Sequence, residues 1–131
     1  MQYHKNRHAA YLLHAHIVFV TKYRRKILGD LHHQAFSRTA ASVCRDFGAT
    51  LRDCNGESDH VHLLIDYPPS VQLTRLINSL KAVTSRRMRR EFSDLAGAYS
   101  KPVLWSRSYF VSSCGGAPLE VIKSYIQNQQ G

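Results

Sequence analysis

Apolar and polar positions along this chain fall into blocks that switch between strand-like and helix-like spacing. Residues 14–21 (HAHIVFVT) are β-branched and aromatic around a continuous apolar centre, the pattern of a strand covered on both faces. A basic turn, KYRRK, follows. From Asp30 to about Phe47, the residues Leu31, Ala35, Phe36, Ala40, Val43 and Phe47 recur at helical spacing, with Asp30 as N-cap and Gly48 as the terminating glycine. Ala49 to Cys54 reads as a second strand, and Asn55-Gly56 as a turn. His60 to Tyr67 (HVHLLIDY) is a third strand, stopped by Pro68-Pro69. Ser70 then caps a long helix with an apolar side of Leu73, Ile77, Leu80, Val83 and Met88, running to about Phe92. After a looser segment containing Gly97 and Pro102, Val103 to Ser112 forms a fourth strand. Beyond Gly115-Gly116, Pro118 suits the start of a terminal helix over about 117–130, held down by Leu119, Ile122 and Ile126.

The order is β-α-β-β-α-β-α. It predicts an α+β fold of the ferredoxin-like (RRM-like) kind: an antiparallel four-stranded sheet, two helices packed on one face, and a further C-terminal helix. With 131 residues and no repeat, low-complexity tract or linker, the chain reads as a single domain over 1–131. Many functions share this architecture, so the chemistry must come from the site.

Composition narrows the partners. Eighteen Lys plus Arg against nine acidic residues give a formal charge of +9, which draws polyanions, nucleic acid foremost. No window has the apolar length of a membrane span, and the first residues lack the pattern of a secretory signal. Cys44, Cys54 and Cys114 are odd in number and far apart, which argues against a disulfide framework or a thiolate zinc site. A cytoplasmic, non-membrane protein is expected.

The sharpest local pattern is Asp59-His60-Val61-His62. Residues two apart on a strand project from one face, about 6–7 Å apart, so two imidazoles can lean onto one metal ion while Val61, Leu63 and Ile65 face the other way. A bare His-X-His pair is more often two half-exposed strand histidines without a ligand. His14-Ala15-His16 has the same spacing, and spacing alone does not choose between the pairs, nor exclude one site shared by neighbouring strands. Near the end of the chain, Tyr125 and Gln129 are four apart and would share a helix face, about 6 Å apart along its axis. Taken alone, Tyr125 reads more readily as a half-buried packing aromatic and Gln129 as a solvated terminal residue.

Five blocks in order, HIVFVTKYRRKIL, SDHVHLLIDYPP, LTRLINSLKAVTSRRMRREF, LWSRSYFVSSCGG and VIKSYIQNQ, resemble the single-tyrosine HUH transposases of small bacterial and archaeal insertion sequences. The resemblance covers nearly the whole chain. It implies an enzyme that cleaves and rejoins single-stranded DNA at insertion-sequence ends through a 5′-phosphotyrosine intermediate. Tyr125 would be the nucleophile, and His60, His62 and Gln129 the ligands of a divalent ion, Mg²⁺ or Mn²⁺. His14 and His16 would then have no ligand role, and Tyr109, within a strand beside Trp105 and Phe110, is the main rival nucleophile. The resemblance also implies recognition of DNA hairpins, and a homodimer in which the tyrosine helix acts in trans.

Two basic stretches suit the DNA. Lys22, Tyr23, Arg24 and Arg25 set an aromatic ring among cations, able to stack on an unpaired base. Arg86, Arg87, Arg89 and Arg90, with Lys81 and Arg75, load the second long helix, where Arg86 and Arg90 share a face and a bound polyanion would relieve their repulsion. Two other readings compete: a different HUH nickase, a relaxase or replication initiator, which usually needs additional segments, and a non-enzymatic ferredoxin-like module binding single-stranded nucleic acid. The latter predicts an aromatic RNP-type strand, to which Arg107-Ser108-Tyr109-Phe110-Val111 is a poor match.

Overall fold

The computed structural model describes residues 13–114. Strand β1 spans Leu13–Thr21, helix α1 Asp30–Asp46, strand β2 Thr50–Glu57, strand β3 His60–Tyr67 and helix α2 Leu73–Glu91; a four-residue helix α3 covers Ser93–Ala96, and strand β4 runs from Trp105 to Cys114. The four strands form one antiparallel sheet in the order β2-β3-β1-β4. That order, with α1 following β1 and α2 following β3, is the ferredoxin-like arrangement the sequence predicts. The terminal helix expected over 117–130 lies outside the described residues.

Strand alternation divides the sheet into two unlike faces. Ala15, Ile17 and Phe19 of β1 and Val61, Leu63 and Ile65 of β3 are buried to within 1% of full burial, and they meet Phe36 and Ala40 of α1 and Leu76, Ile77, Leu80 and Met88 of α2. Phe19 sits edge-on to both Phe36 and Tyr109. The other face carries the polar residues: His14, His16, His60, His62 and Asp66 occupy alternate positions pointing away from the helices, interleaved with Val18, Val20 and Leu64. The α2–β4 contact has a polar latch within the core, where Trp105 Nε1 donates to Thr84 Oγ1 at 3.0 Å and Thr84 Oγ1 donates to the Leu80 carbonyl at 2.6 Å.

Several local expectations shift. Leu31, placed on the core face of the first helix, is 68% exposed, and Cys44 is buried instead. Gly29 rather than Asp30 is the N-cap, and its N–H donates to the His32 ring at 2.9 Å; Asp30 sits in the first turn, where a carboxylate complements the helix dipole. Gly48 does end α1, with φ of 78°. The second long helix starts at Leu73 after Gln72, not at a Ser70 cap. Asn55-Gly56 is not a turn: β2 continues through both, Gly56 opposite Val61 and Glu57 opposite His60, and the chain reverses at Ser58-Asp59. Among the described residues no helix is long and apolar enough to cross a membrane.

Candidate active site and nucleic-acid interface

His60 and His62 stand side by side on the open face of β3, their ring centroids 4.9 Å apart and their planes near perpendicular. Val61 between them is fully buried on the core side, so the alternation that anchors the strand also aims both imidazoles outward. Each ring is held by one nitrogen. His60 Nδ1 lies 2.8 Å from Asp59 Oδ1, and His62 Nδ1 lies 3.1 Å from His16 Nε2. Among the described residues no hydrogen bond engages Nε2 of either ring. The His16 and His62 rings are tilted by only 21° with centroids 5.3 Å apart, the edge-to-edge arrangement such a contact between ring nitrogens gives. The neighbouring-strand possibility raised by the two His-X-His pairs is therefore half realised: β1 and β3 pair, and His16 touches the His60/His62 site. His14 turns to a different partner, lying 2.6 Å from Asp66 Oδ1, while Arg52 Nε reaches Asp66 Oδ2 at 2.7 Å. A bulge between Leu51 and Asp53 interrupts the β2–β3 register at Arg52.

Burial, then the neighbouring His60 and His16, hold the His62 pKa below the usual imidazole value, which favours the neutral ring with a lone pair to offer. The hydrogen bond from His60 lowers the Asp59 pKa, with help from Arg24. Arg24 Nη2 lies 3.3 Å from Asp59 Oδ2, so the basic turn after β1 is tied directly to the carboxylate that steadies His60. Backbone bonds fasten the same junction: Thr21 N donates to Asp59 O and Leu28 N to Ser58 O, both at 2.9 Å. Spacing assigns no role to Asp59 and leaves that of His16 open, since what each does depends on which strands pair. Among the described residues no group of three or more His, Cys, Asp or Glu side chains is arranged to hold a metal. Two imidazoles on one face with outward nitrogens nevertheless fit part of a divalent-ion site, which a further ligand would complete. Tyr125 and Gln129 lie outside the described residues.

The two basic stretches turn out to be neighbours. Tyr23 is 76% exposed and takes the left-handed conformation, φ 60°, as does Arg24 at φ 54°. Its ring stands 6.3 Å from that of Tyr99, and the Arg25 guanidinium lies over Tyr99 at 4.8 Å. Tyr99 donates its hydroxyl to the Lys22 carbonyl at 2.6 Å, and Arg25 donates to the Ala98 carbonyl. On its other side Tyr99 lines an open cleft of about 360 Å³ together with Arg86, Arg89, Arg90 and Lys101. Tyr99 and Lys101 thus join the surface without having been expected there. Arg87 is exposed on the same helix. Lys81 is differently employed: its ammonium donates to the carbonyls of Ser106 and Arg107, each at 2.9 Å, and burial, then Arg107 and Lys22, lower its pKa. Tyr109, the rival nucleophile, packs edge-on against Phe19 with the Lys81 ammonium over its ring.

Comparison with known proteins agrees with this geometry. Residues 9–129 match the family described as Transposase IS200 like. The chain belongs to the IS200-like transposase family. It is 28% identical over 114 residues to the transposase for insertion sequence element IS200 of Salmonella typhimurium, covering 87% of this chain and 74% of that one. It is 25% identical to the ISDra2 transposase TnpA of Deinococcus radiodurans over 125 residues, 95% of this chain and 89% of that one. A crystal structure of a transposase from Deinococcus radiodurans superposes with a TM-score of 0.75 at 28% identity, covering 96% of this chain and 97% of that one. A REP-associated tyrosine transposase, solved bound to a REP hairpin, shares the fold with a TM-score of 0.58 at 11% identity, covering 95% of this chain and 68% of that one. As an IS200-like transposase the chain is an enzyme of tyrosine-based, single-stranded DNA transposition, and metal dependence goes with that family.

Gly56 supplies a test of how the site is held. A Cβ there would overlap the His60 carbonyl oxygen and come within 2.8 Å of both Val61 Cα and the His33 ring. Gly56→Ala should destabilise the transposase by roughly 1–3 kcal/mol, since backbone cannot yield as a side-chain end can. Chemical denaturation measures it; an unchanged midpoint would show that the hairpin carrying His60 is not tightly constrained.

Proposed function

We propose that the chain cleaves and rejoins single-stranded DNA at insertion-sequence ends with Tyr125 as nucleophile, and with His60, His62 and Gln129 holding a divalent ion, Mg²⁺ or Mn²⁺. The observation that carries this reading is the imidazole pair itself: two rings on one sheet face, each steadied through Nδ1, with the basic turn after β1 tied to the same corner through Arg24 and Asp59. The relaxase or initiator and the binding-module alternatives lose ground to family membership.

In the forward step the Tyr125 oxygen bonds to phosphorus, the bond to the 3′ oxygen breaks, and the phenolic proton ends on that 3′ hydroxyl. One phosphodiester is exchanged for one phosphotyrosine ester, so a 3′ hydroxyl can reverse the step and reseal DNA without an energy donor. A phenol has a pKa of about 10, so its proton must be withdrawn as attack proceeds. A bound divalent ion supplies charge neutralisation at the attacked phosphate. His60 and His62 contribute orientation and neutral nitrogen donors, and Gln129 an amide oxygen. The Lys22–Arg25 turn, with Tyr23 raised among cations, can stack an unpaired base, while Arg86, Arg87 and Arg90 line the path of the phosphates. Lys81, engaged with β4, would act mainly by shaping that path. A DNA hairpin is the substrate form we favour, as in the hairpin-bound protein of the same fold, and a homodimer with the tyrosine helix acting in trans is the assembly.

The test is a labelled single strand carrying a hairpin, incubated with Mg²⁺ or Mn²⁺ and resolved under denaturing conditions. Wild type should form a protein–DNA adduct. Tyr125→Phe should form none yet bind the hairpin with little change, and His62→Ala should bind but cleave at least 100-fold more slowly, as roughly 3 kcal/mol of lost transition-state stabilisation implies. Adducts in the Tyr125→Phe protein would assign the nucleophile elsewhere. For the basic surface, replacing Arg86 and Arg90 by Ala should flatten the dependence of log affinity on log salt by roughly 0.7–0.9 for each phosphate that is no longer neutralised. An unaltered slope would remove α2 from the interface.

A further inference from the structure

Each outward imidazole at the site has a brace, and the two braces differ in kind. His60 has a carboxylate, Asp59, from its own strand end, at 2.8 Å. His62 has a second imidazole, His16, contributed by the adjacent strand β1 from 46 residues away, at 3.1 Å between ring nitrogens and with only 21° between the ring planes. His16 is half-buried, and its strand position is fixed by pairing opposite Leu64 in the β1–β3 ladder. The contact is therefore set by the register of the sheet's two central strands, not by a mobile surface side chain.

From this geometry we infer that His16 is a positioning residue: its Nε2 accepts the Nδ1–H of His62, and so fixes His62 as the tautomer whose Nε2 lone pair faces outward. The inference rests on the proposed ion site at His60 and His62. A neutral imidazole carries one proton, and a hydrogen bond that takes it at Nδ1 leaves the other nitrogen as a donor to an ion. His16 then carries its own proton on Nδ1. Ligand imidazoles are commonly oriented through the ring nitrogen that does not bind, usually by a carboxylate or carbonyl. An imidazole in that place is a weaker acceptor without a charge. It orients His62 without adding a second anion beside Asp59, on a face that must admit DNA phosphate.

The experiment uses the full chain. Nitrogen-15 imidazole spectra of the metal-free wild type should show His62 protonated at Nδ1 and unprotonated at Nε2. Mn²⁺ binding, followed by electron paramagnetic resonance without DNA, should weaken 10–100-fold in His16→Leu, the usual effect of losing such a partner. In His16→Gln it should stay within about threefold of wild type, because the amide oxygen can take the same Nδ1–H. A role in folding alone would not distinguish Gln from Leu in this way. His62→Ala serves as the control for the site itself. If it binds Mn²⁺ like wild type, the ion-site reading fails. If it loses binding while His16→Leu keeps it, only the role of His16 fails. Equal weakening in Leu and Gln, or a wild-type spectrum with His62 protonated at Nε2, also overturns the proposal, and the spectrum decides even if His16→Leu does not fold.

Discussion

The period-two alternation of β3 is the constraint on which everything else in this molecule rests. Val61, Leu63 and Ile65 are completely buried, and a slip of one residue would send all three to solvent while driving His60 and His62 into an apolar core. Burying three aliphatic side chains stabilises by several kcal/mol, at roughly 1.5–3 kcal/mol each, so the alternative register is not competitive. The same energy that folds the domain therefore also aims the imidazoles. No separate device is needed to present them on the face away from the helices.

Pairing with β1 adds the second half of the arrangement. Because β1 lies beside β3, its own outward histidines fall into contact with that face: His16 onto His62, His14 onto Asp66. The turn that leaves β1 returns to the same corner, with Arg24 on Asp59 and Thr21 bonded to the Asp59 carbonyl. A basic loop suited to holding DNA and a histidine pair suited to holding an ion thus meet on one short stretch, Ser58 to His62. Tyr99 extends the connection to α2 through Lys22 and Arg25, uniting two cation clusters that are some sixty residues apart in the chain. The scaffold is stiff where the chemistry is placed, as catalysis by positioning requires.

Much of this was legible in the chain, and the misses have physical causes. Strand β3 announced itself because apolar alternation and the Pro68-Pro69 stop coincide, and the fold followed from element order. Asn55-Gly56 misled because glycine serves two purposes: here it permits the close approach of His60 and Val61 across the hairpin, not a left-handed turn. Leu31 misled because one apolar residue at helical spacing says nothing about whether a partner covers it. Asp59, Tyr99 and Lys101 escaped notice because each acts through a neighbour brought close only by tertiary pairing, and the same dependence kept spacing from deciding whether His16 belonged with His60 and His62. Lys81 looked like a phosphate contact by its position on a basic helix, whereas its ammonium spends two N–H groups on carbonyls of β4.

The central claim is that one ion gathers His60, His62 and Gln129 beside Tyr125. Paramagnetic broadening by substoichiometric Mn²⁺, read from side-chain resonances of the full isotope-labelled chain, measures this directly. The account predicts that the His60 and His62 imidazoles, the Gln129 amide and the Tyr125 ring are lost first, while His32 beside Asp94, on the far side of the sheet, stays sharp. Broadening centred on His32 and Asp94, or a Tyr125 ring untouched when the His60 and His62 signals vanish, would contradict it.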